Sequence, residues 1–205
     1  MMNPLLLTLR NLATDLKREK FDWALVGGLA VSVHAEPRFT RDIDIGVAVP
    51  NDAEAEKLIR SLRHRGYRIK AVIEQSSTGR LATARLIPPH ENAEGVIVDL
   101  LFASSGIEEE IVRAAEQIEI FKGLIIPAAR LGHLVALKVL ARDDLRRPQD
   151  LMDIRALLPR MGKAEKKRVE QALRLIVKRG FHRGKELMGI WTRLLTEQAA
   201  DDQPE

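Results

Sequence analysis

Two aspartates separated by a single isoleucine, in the stretch RFTRDIDIGVAV, are the residues of this chain best placed to do chemistry. In a strand, side chains two positions apart point the same way, with their backbones roughly 6.5 Å apart. Asp42 and Asp44 therefore share one face with Gly46 and Ala48, while Ile43, Ile45, Val47 and Val49 take the other. One face is a core surface. The opposite face sets two carboxylates beside small residues that leave open space, as the wall of a cleft would. Two ionised carboxylates this close repel each other, and a partly desolvated site holds both only if a cation compensates. A hard divalent ion such as Mg²⁺ takes carboxylate oxygens and keeps water or phosphate as its remaining ligands. The plain alternative is an exposed strand carrying two solvated aspartates.

Two further features bear on that choice. Gly27 and Gly28 lie between a strand-like and a helix-like segment, where close backbone approach and a helix amino terminus together suit a phosphate, although a glycine pair also serves a tight turn. Asp99 sits in GVIVDLLFA, apolar on both faces, where an unpartnered carboxylate costs several kcal/mol. Either it joins Asp42 and Asp44 across neighbouring strands, or it caps a nearby backbone group.

The elements that would position these residues follow from periodicity. Leu5, Leu6, Leu9, Leu12 and Leu16 recur at helical spacing and predict an amphipathic first helix. FDWALVG reads as a buried strand, LAVSVHA as a short helix and DIDIGVAV as a strand. Pro50, Asn51 and Asp52 open a helix that Gly66 stops. YRIKAVI, RLATARLI and GVIVDLLFA predict three more strands, followed by the helix IEEEIVRAAEQ and a short extended segment, IEIFKGLIIP. From Ala128 onward only helical patterns remain. The expected fold is α+β, a mixed sheet with flanking helices over residues 1–127, then a helical part over 128–200 and a disordered tail at 201–205.

Val26, Gly27, Gly28, a spacer of thirteen residues, and Asp42-Ile43-Asp44-Ile45 resemble the signature of the nucleotidyltransferase superfamily with the DNA polymerase beta type of palm. More narrowly, the arrangement is similar to the abortive-infection (AbiE toxin type) and minimal nucleotidyltransferases. RFTRDIDI carries the arginine and threonine that often precede the acidic triplet there, and LVALKVLARDDLRRPQDLMDI looks like that group's helical motif. The likeness spans roughly residues 20 to 160, and Gly28 stands where many relatives have serine. A hydroxyl contact to phosphate would then come from Thr40 or Ser32.

The resemblance implies an enzyme that moves a nucleoside monophosphate from a nucleoside triphosphate (NTP) to a hydroxyl acceptor such as tRNA, as the toxin of a toxin–antitoxin or phage-defence pair. Asp42, Asp44 and Asp99 would be catalytic and would bind Mg²⁺ or Mn²⁺. Two such ions about 3.5–4 Å apart stabilise the attacking and leaving oxygens of an in-line displacement. Gly27, Gly28, Thr40, Lys138, Arg142 and Asp150 would bind nucleotide, with Asp150 orienting Lys138. Beside this stand plainer readings: Lys138 as a solvated charge on an amphipathic helix, Arg142, Arg146 and Arg147 as a surface turn, Asp153 as the partner of an arginine, and His34 as a packed core residue.

Composition excludes some classes and leaves others open. The 205 residues are 45% hydrophobic, enough for a packed core, and cysteine is absent, which rules out disulfides and thiolate metal sites. A net charge of +4 permits an RNA partner without demanding one. A basic run from Arg155 to Lys185 contains only Glu165 and Glu170 as acids, so it could line RNA through phosphate contacts or be a solvated face. No stretch has the apolar length of a membrane span and the amino terminus lacks a secretory pattern, so a cytoplasmic protein is expected, with NTP, RNA and a cognate antitoxin as candidate partners. A catalytically silent RNA- or protein-binding module of the same fold, and a small-molecule nucleotidyltransferase of the aminoglycoside-modifying kind, remain alternatives.

Overall fold

A computed structural model describes residues 3–35, 40–91 and 95–201. Phe39, part of the 88–95 turn and the tail beyond Asp201 lie outside the described residues. The chain runs α1 (Pro4–Glu19), β1 (Trp23–Val26), α2 (Gly27–His34), β2 (Asp42–Val47), α3 (Asp52–His64), β3 (Arg68–Glu74), β4 (Leu81–Ile87) and β5 (Ile97–Leu101). It continues with α4 (Glu108–Arg113), β6 (Glu116–Phe121), β7 (Leu124–Ala128), α5 (Leu131–Ala141), α6 (Pro148–Leu157), a 3₁₀ turn (Leu158–Arg160), α7 (Lys163–Lys178) and α8 (Leu187–Asp201). The class is α+β, as the periodicities predict.

Local chemistry explains where the elements start. The Asn3 side chain accepts the Leu5 N–H at 2.9 Å with Pro4 at the first helical position, and Asn51 accepts the Glu54 N–H at 3.1 Å, so each cap fixes the entry of its helix. Leu9, Leu12 and Leu16 of α1 are fully buried, and α1 packs on α3 and on β2. Ile43, Ile45 and Val47 are likewise wholly buried.

The seven strands form one mixed sheet in the order β3-β4-β5-β2-β1-β7-β6. At its centre β2 runs antiparallel to β1 and parallel to β5, and β1 in turn lies parallel to β7. The expected single segment IEIFKGLIIP is a hairpin, because Gly123 turns the chain in the left-handed region (φ 83°) and Phe121 pairs with Leu124. Its second strand enters the sheet beside β1, so the change to all-helical sequence near Pro127 falls inside an inner strand. One hydrophobic core reaches from Leu5 to Leu194 through both parts.

The last four helices attach through α5, which packs against α2, α6, α7 and α8. Gly132 permits the close approach of α5 to α7. A Cβ there would lie 2.6 Å from the Glu165 carbonyl oxygen and 2.7 Å from the Arg168 Cβ. The Glu165 carboxylate also accepts the Gly132 N–H at 2.8 Å, satisfying one of the free donors at the start of α5. Gly132→Ala should therefore destabilise the protein, by up to about 2 kcal/mol in a denaturant titration. The gain of roughly 1 kcal/mol in helix propensity is outweighed by an overpacking cost of about 1–3 kcal/mol, since backbone must move.

Candidate active site

Sheet register assembles the carboxylates. In the parallel β2–β5 pair Asp44 is directly level with Asp99 and Asp42 with Ile97, so Asp44 and Asp99 project from the same face of adjacent strands about 4.8 Å apart. In the antiparallel β1–β2 pair Asp44 is level with Val26, the residue before the glycine pair. The Asp44 carboxylate rests on Gly27. An added Cβ at Gly27 would come within 1.9 Å of Asp44 Oδ2, and Gly27 has φ of 65°, so both space and backbone demand glycine there. Gly28 is buried in the first turn of α2, whose amino terminus has no side-chain cap.

This packing shifts Asp44 strongly. Burial first, then the negative charges of Asp99 and Asp42, push its pKa from 3.8 up to about 6, while Lys138 and Arg147 oppose the shift. Lys138 comes from α5 and Arg147 from the turn that leads into α6, and together they mark the roof of the site. Asp99 is buried, with 5% of its surface exposed. Among the described residues its carboxylate accepts a fork from Arg85, Nε to Oδ1 at 2.8 Å and Nη2 to Oδ2 at 2.6 Å, in place of a backbone group. Arg85 stands directly across from Asp99 in the β4–β5 ladder. Its guanidinium is held charged, its pKa raised chiefly by Asp99 and further by Asp42 and Asp44.

Arg85 is the residue that sequence reasoning missed. Its signal was a cation inside the largely apolar strand Leu81–Ile87, but only the register says which acid it faces. Arg85 takes both oxygens of Asp99, and among the described residues no group of three or more acidic or imidazole side chains stands in a metal-holding arrangement.

Lys138 is no solvated charge. It is 7% exposed in the apolar helix α5 and donates to Asp150 Oδ1 at 2.8 Å and Asp153 Oδ2 at 2.9 Å. The other oxygen of Asp150 accepts Arg147 Nε at 2.8 Å. Asp150 and Asp153, three apart on α6, thus share Lys138, and Asp150 links it to Arg147.

The family described as the nucleotidyl transferase AbiEii toxin of type IV toxin–antitoxin systems has a model that matches residues 8–204. The chain belongs to this family. It is a nucleotidyltransferase. Among curated proteins nothing matches. Two solved structures are similar to it. One is an antigenic nucleotidyltransferase-like protein from Paracoccidioides brasiliensis, 19% identical over 92% of each chain with a TM-score of 0.52. The other is ANT(2'')-Ia in complex with adenylyl-2''-tobramycin, 15% identical over 83% of this chain and 95% of that one, TM-score 0.51. At these identities the likeness is one of fold.

The remaining residues singled out in the AbiEii-family chain are placed as follows. The Thr40 hydroxyl donates to the Asp42 carbonyl at 3.3 Å and so shapes the entry to β2. Ser32 donates back along α2 to the Gly28 carbonyl at 3.0 Å. Arg142 forks onto Asp144 at 2.6 and 2.7 Å, and Arg147 of the same turn lies in the field of Asp44. His34 Nε2 lies 3.2 Å from the Ala129 carbonyl, tying α2 to the β7–α5 link. The face of β2 beyond the aspartates opens only at its far end. A side chain at Gly46 would reach ordinary contact with Val26 at 3.7 Å, whereas Ala48 lines a hollow of about 860 Å³ with Phe102, Arg179 and Phe181.

Two outcomes follow from these charges. The folded protein keeps Asp44 protonated up to about pH 6, whereas the unfolded chain releases that proton near 3.8. The stability that protonation lends is complete below the lower value and lost as pH rises through the higher one. In metal-free buffer at about pH 8, Asp44→Asn should unfold about 1–2 kcal/mol less readily than the wild type, with the gap closing toward about pH 4. Conversely Lys138→Met leaves two buried carboxylates without their shared cation, and chemical denaturation should show a loss of about 3–5 kcal/mol.

Proposed function

We propose that this nucleotidyltransferase transfers a nucleoside monophosphate from an NTP to a hydroxyl on RNA, tRNA being the acceptor class, with Asp42, Asp44 and Asp99 carrying the reaction. The observation that supports this most directly is the level pairing of Asp44 with Asp99, directly beside the glycine pair that opens α2. The three carboxylates offer the oxygen donors that Mg²⁺ or Mn²⁺ prefers, and when bound such an ion neutralises phosphate charge and lowers the pKa of an attacking hydroxyl. The uncapped first turn of α2, at Gly27 and Gly28, supplies backbone N–H groups for triphosphate oxygens. Asp99 takes the proton of the acceptor hydroxyl as its oxygen attacks the α-phosphorus and pyrophosphate leaves. Lys138 acts from behind: paired to Asp150 and Asp153, it fixes α6 so that Arg147 faces the carboxylates.

The RNA assignment draws on α7. Lys163, Lys167, Arg174 and Lys178 are exposed and, at 100° per residue, fall within about 60° of one another around the helix, a cationic stripe roughly 22 Å long. Arg168 and Arg179 fall on another side of the helix, where Glu165 and Glu110 bind them. Four phosphate-spaced cations give sequence-tolerant, salt-dependent contact. The family's description as a type IV toxin–antitoxin component supports a cognate antitoxin as a further partner.

The test is labelling of total RNA with each α-³²P-labelled NTP in turn, in Mg²⁺. Wild-type protein should label RNA with at least one nucleotide, and Asp42→Ala and Asp44→Ala should each reduce the rate by about 10³-fold or more, the scale of losing a principal charge-stabilising group. Reversing Lys167 and Arg174 to Glu should weaken RNA labelling and flatten its salt dependence, leaving NTP binding unchanged. Full activity in either aspartate variant would discard the assignment of the reaction to these carboxylates, whereas a melting temperature indifferent to Mg²⁺ with every NTP would favour a silent binding module.

A further inference from the structure

We infer that Arg85 is a resident counter-cation for Asp99 that competes with the divalent metal, so that metal binds this site weakly until nucleotide brings additional ligands. The inference rests on the metal-site reading proposed above and adds a residue to it.

Four observations lead to Arg85. Its position opposite Asp99 in the antiparallel β4–β5 ladder is set by backbone register, so the pair forms whenever the sheet does. Its fork is bidentate and short, at 2.8 and 2.6 Å, and engages both oxygens of Asp99. The two partners differ in exposure. The Arg85 side chain is 40% exposed and that of Asp99 only 8%, so the guanidinium approaches from solvent and can swing back without opening the core. Finally, Asp42 and Asp44 add to the field that holds Arg85 charged.

Charge accounting gives the pair its role. Three carboxylates on one sheet face need compensation. Lys138 is already shared by two aspartates, and Arg147 is bound to Asp150. Arg85 is bound directly to one of the three. An ion ligated by Asp99 must take an oxygen that Arg85 now holds, and the cost of breaking a charge-assisted pair is subtracted from metal affinity. A phosphate-bearing ligand offsets that cost with its own oxygens, which couples metal binding to nucleotide binding.

Mn²⁺ titration followed by the EPR signal of the free ion, without nucleotide and at about pH 8 where carboxylates are ionised, tests this. Arg85→Gln should bind Mn²⁺ about tenfold tighter than the wild type, the equilibrium equivalent of one charge-assisted interaction removed. Arg85→Lys, which keeps the charge but loses the fork, should fall between them. A merely structural arginine would give the opposite, since loosening the site weakens metal binding. Circular dichroism melts establish that each variant is folded, and if Arg85→Gln is not, Arg85→Lys carries the test by binding tighter than the wild type. Affinity in the folded Arg85 variants equal to or below wild type, with Asp44→Asn still abolishing binding, would overturn the role of Arg85 and leave the metal site standing. Mn²⁺ affinity unmoved by Asp44→Asn in both the wild-type and Arg85→Gln backgrounds would bring down the metal-site reading, and this inference with it.

Discussion

The alignment of β2 against β5 is the constraint on which the site depends. It sets Asp44 level with Asp99 on one face of the sheet, an arrangement that electrostatics opposes. The surrounding structure is arranged to tolerate it. Gly27 gives up its side chain so that the Asp44 carboxylate can lie against the backbone, Arg85 forks onto Asp99 from the next strand, and Lys138 and Arg147 oppose the charge from α5 and the turn that leads into α6. A residual cost remains visible in Asp44, whose proton affinity is raised to about 6. Such stored unfavourable electrostatics is typical of functional sites and rarely of scaffolding.

Much of this was legible in the sequence because it depended on local patterns. Period-two alternation put Asp42 and Asp44 on one face, an apolar run around Asp99 marked a buried acid, and Val26-Gly27-Gly28 marked a strand passing into a helix. What could not be read was register. Nothing in RLATARLI says that Arg85 rather than a backbone donor will face Asp99, since a shift of one residue would turn Arg85 to the opposite side of the sheet. The same limit applied to the turn after α5: Arg142, Arg146 and Arg147 are equivalent as composition, and only the fold binds Arg142 to Asp144 and turns Arg147 toward Asp150 and Asp44. The IEIFKGLIIP hairpin escaped because a two-residue loop at Lys122 and Gly123 interrupts neither strand's apolar character.

The α+β class was readable for a different reason. Helical and strand periodicities are separately strong along this chain, and the caps at Asn3 and Asn51 are local. The junction near Pro127 marks a real change in composition, yet β7 lies inside the sheet and α5 packs on α2, so the change in sequence pattern is not a gap in the core.

The buried ions of α5 and α6 bear on how the helices serve the sheet. Burying Lys138 with Asp150 and Asp153 need not add stability over an apolar trio of similar volume, because desolvation consumes most of the Coulombic gain. What an apolar trio would not supply is direction. Asp150 spends one oxygen on Lys138 and the other on Arg147, so the rotation of α6 that satisfies the buried lysine is also the one that turns Arg147 toward Asp44. A helix held only by hydrophobic contacts could rotate by some tens of degrees at modest cost, carrying Arg147 out of that field. The lysine thus does for the roof of the site what strand register does for its floor.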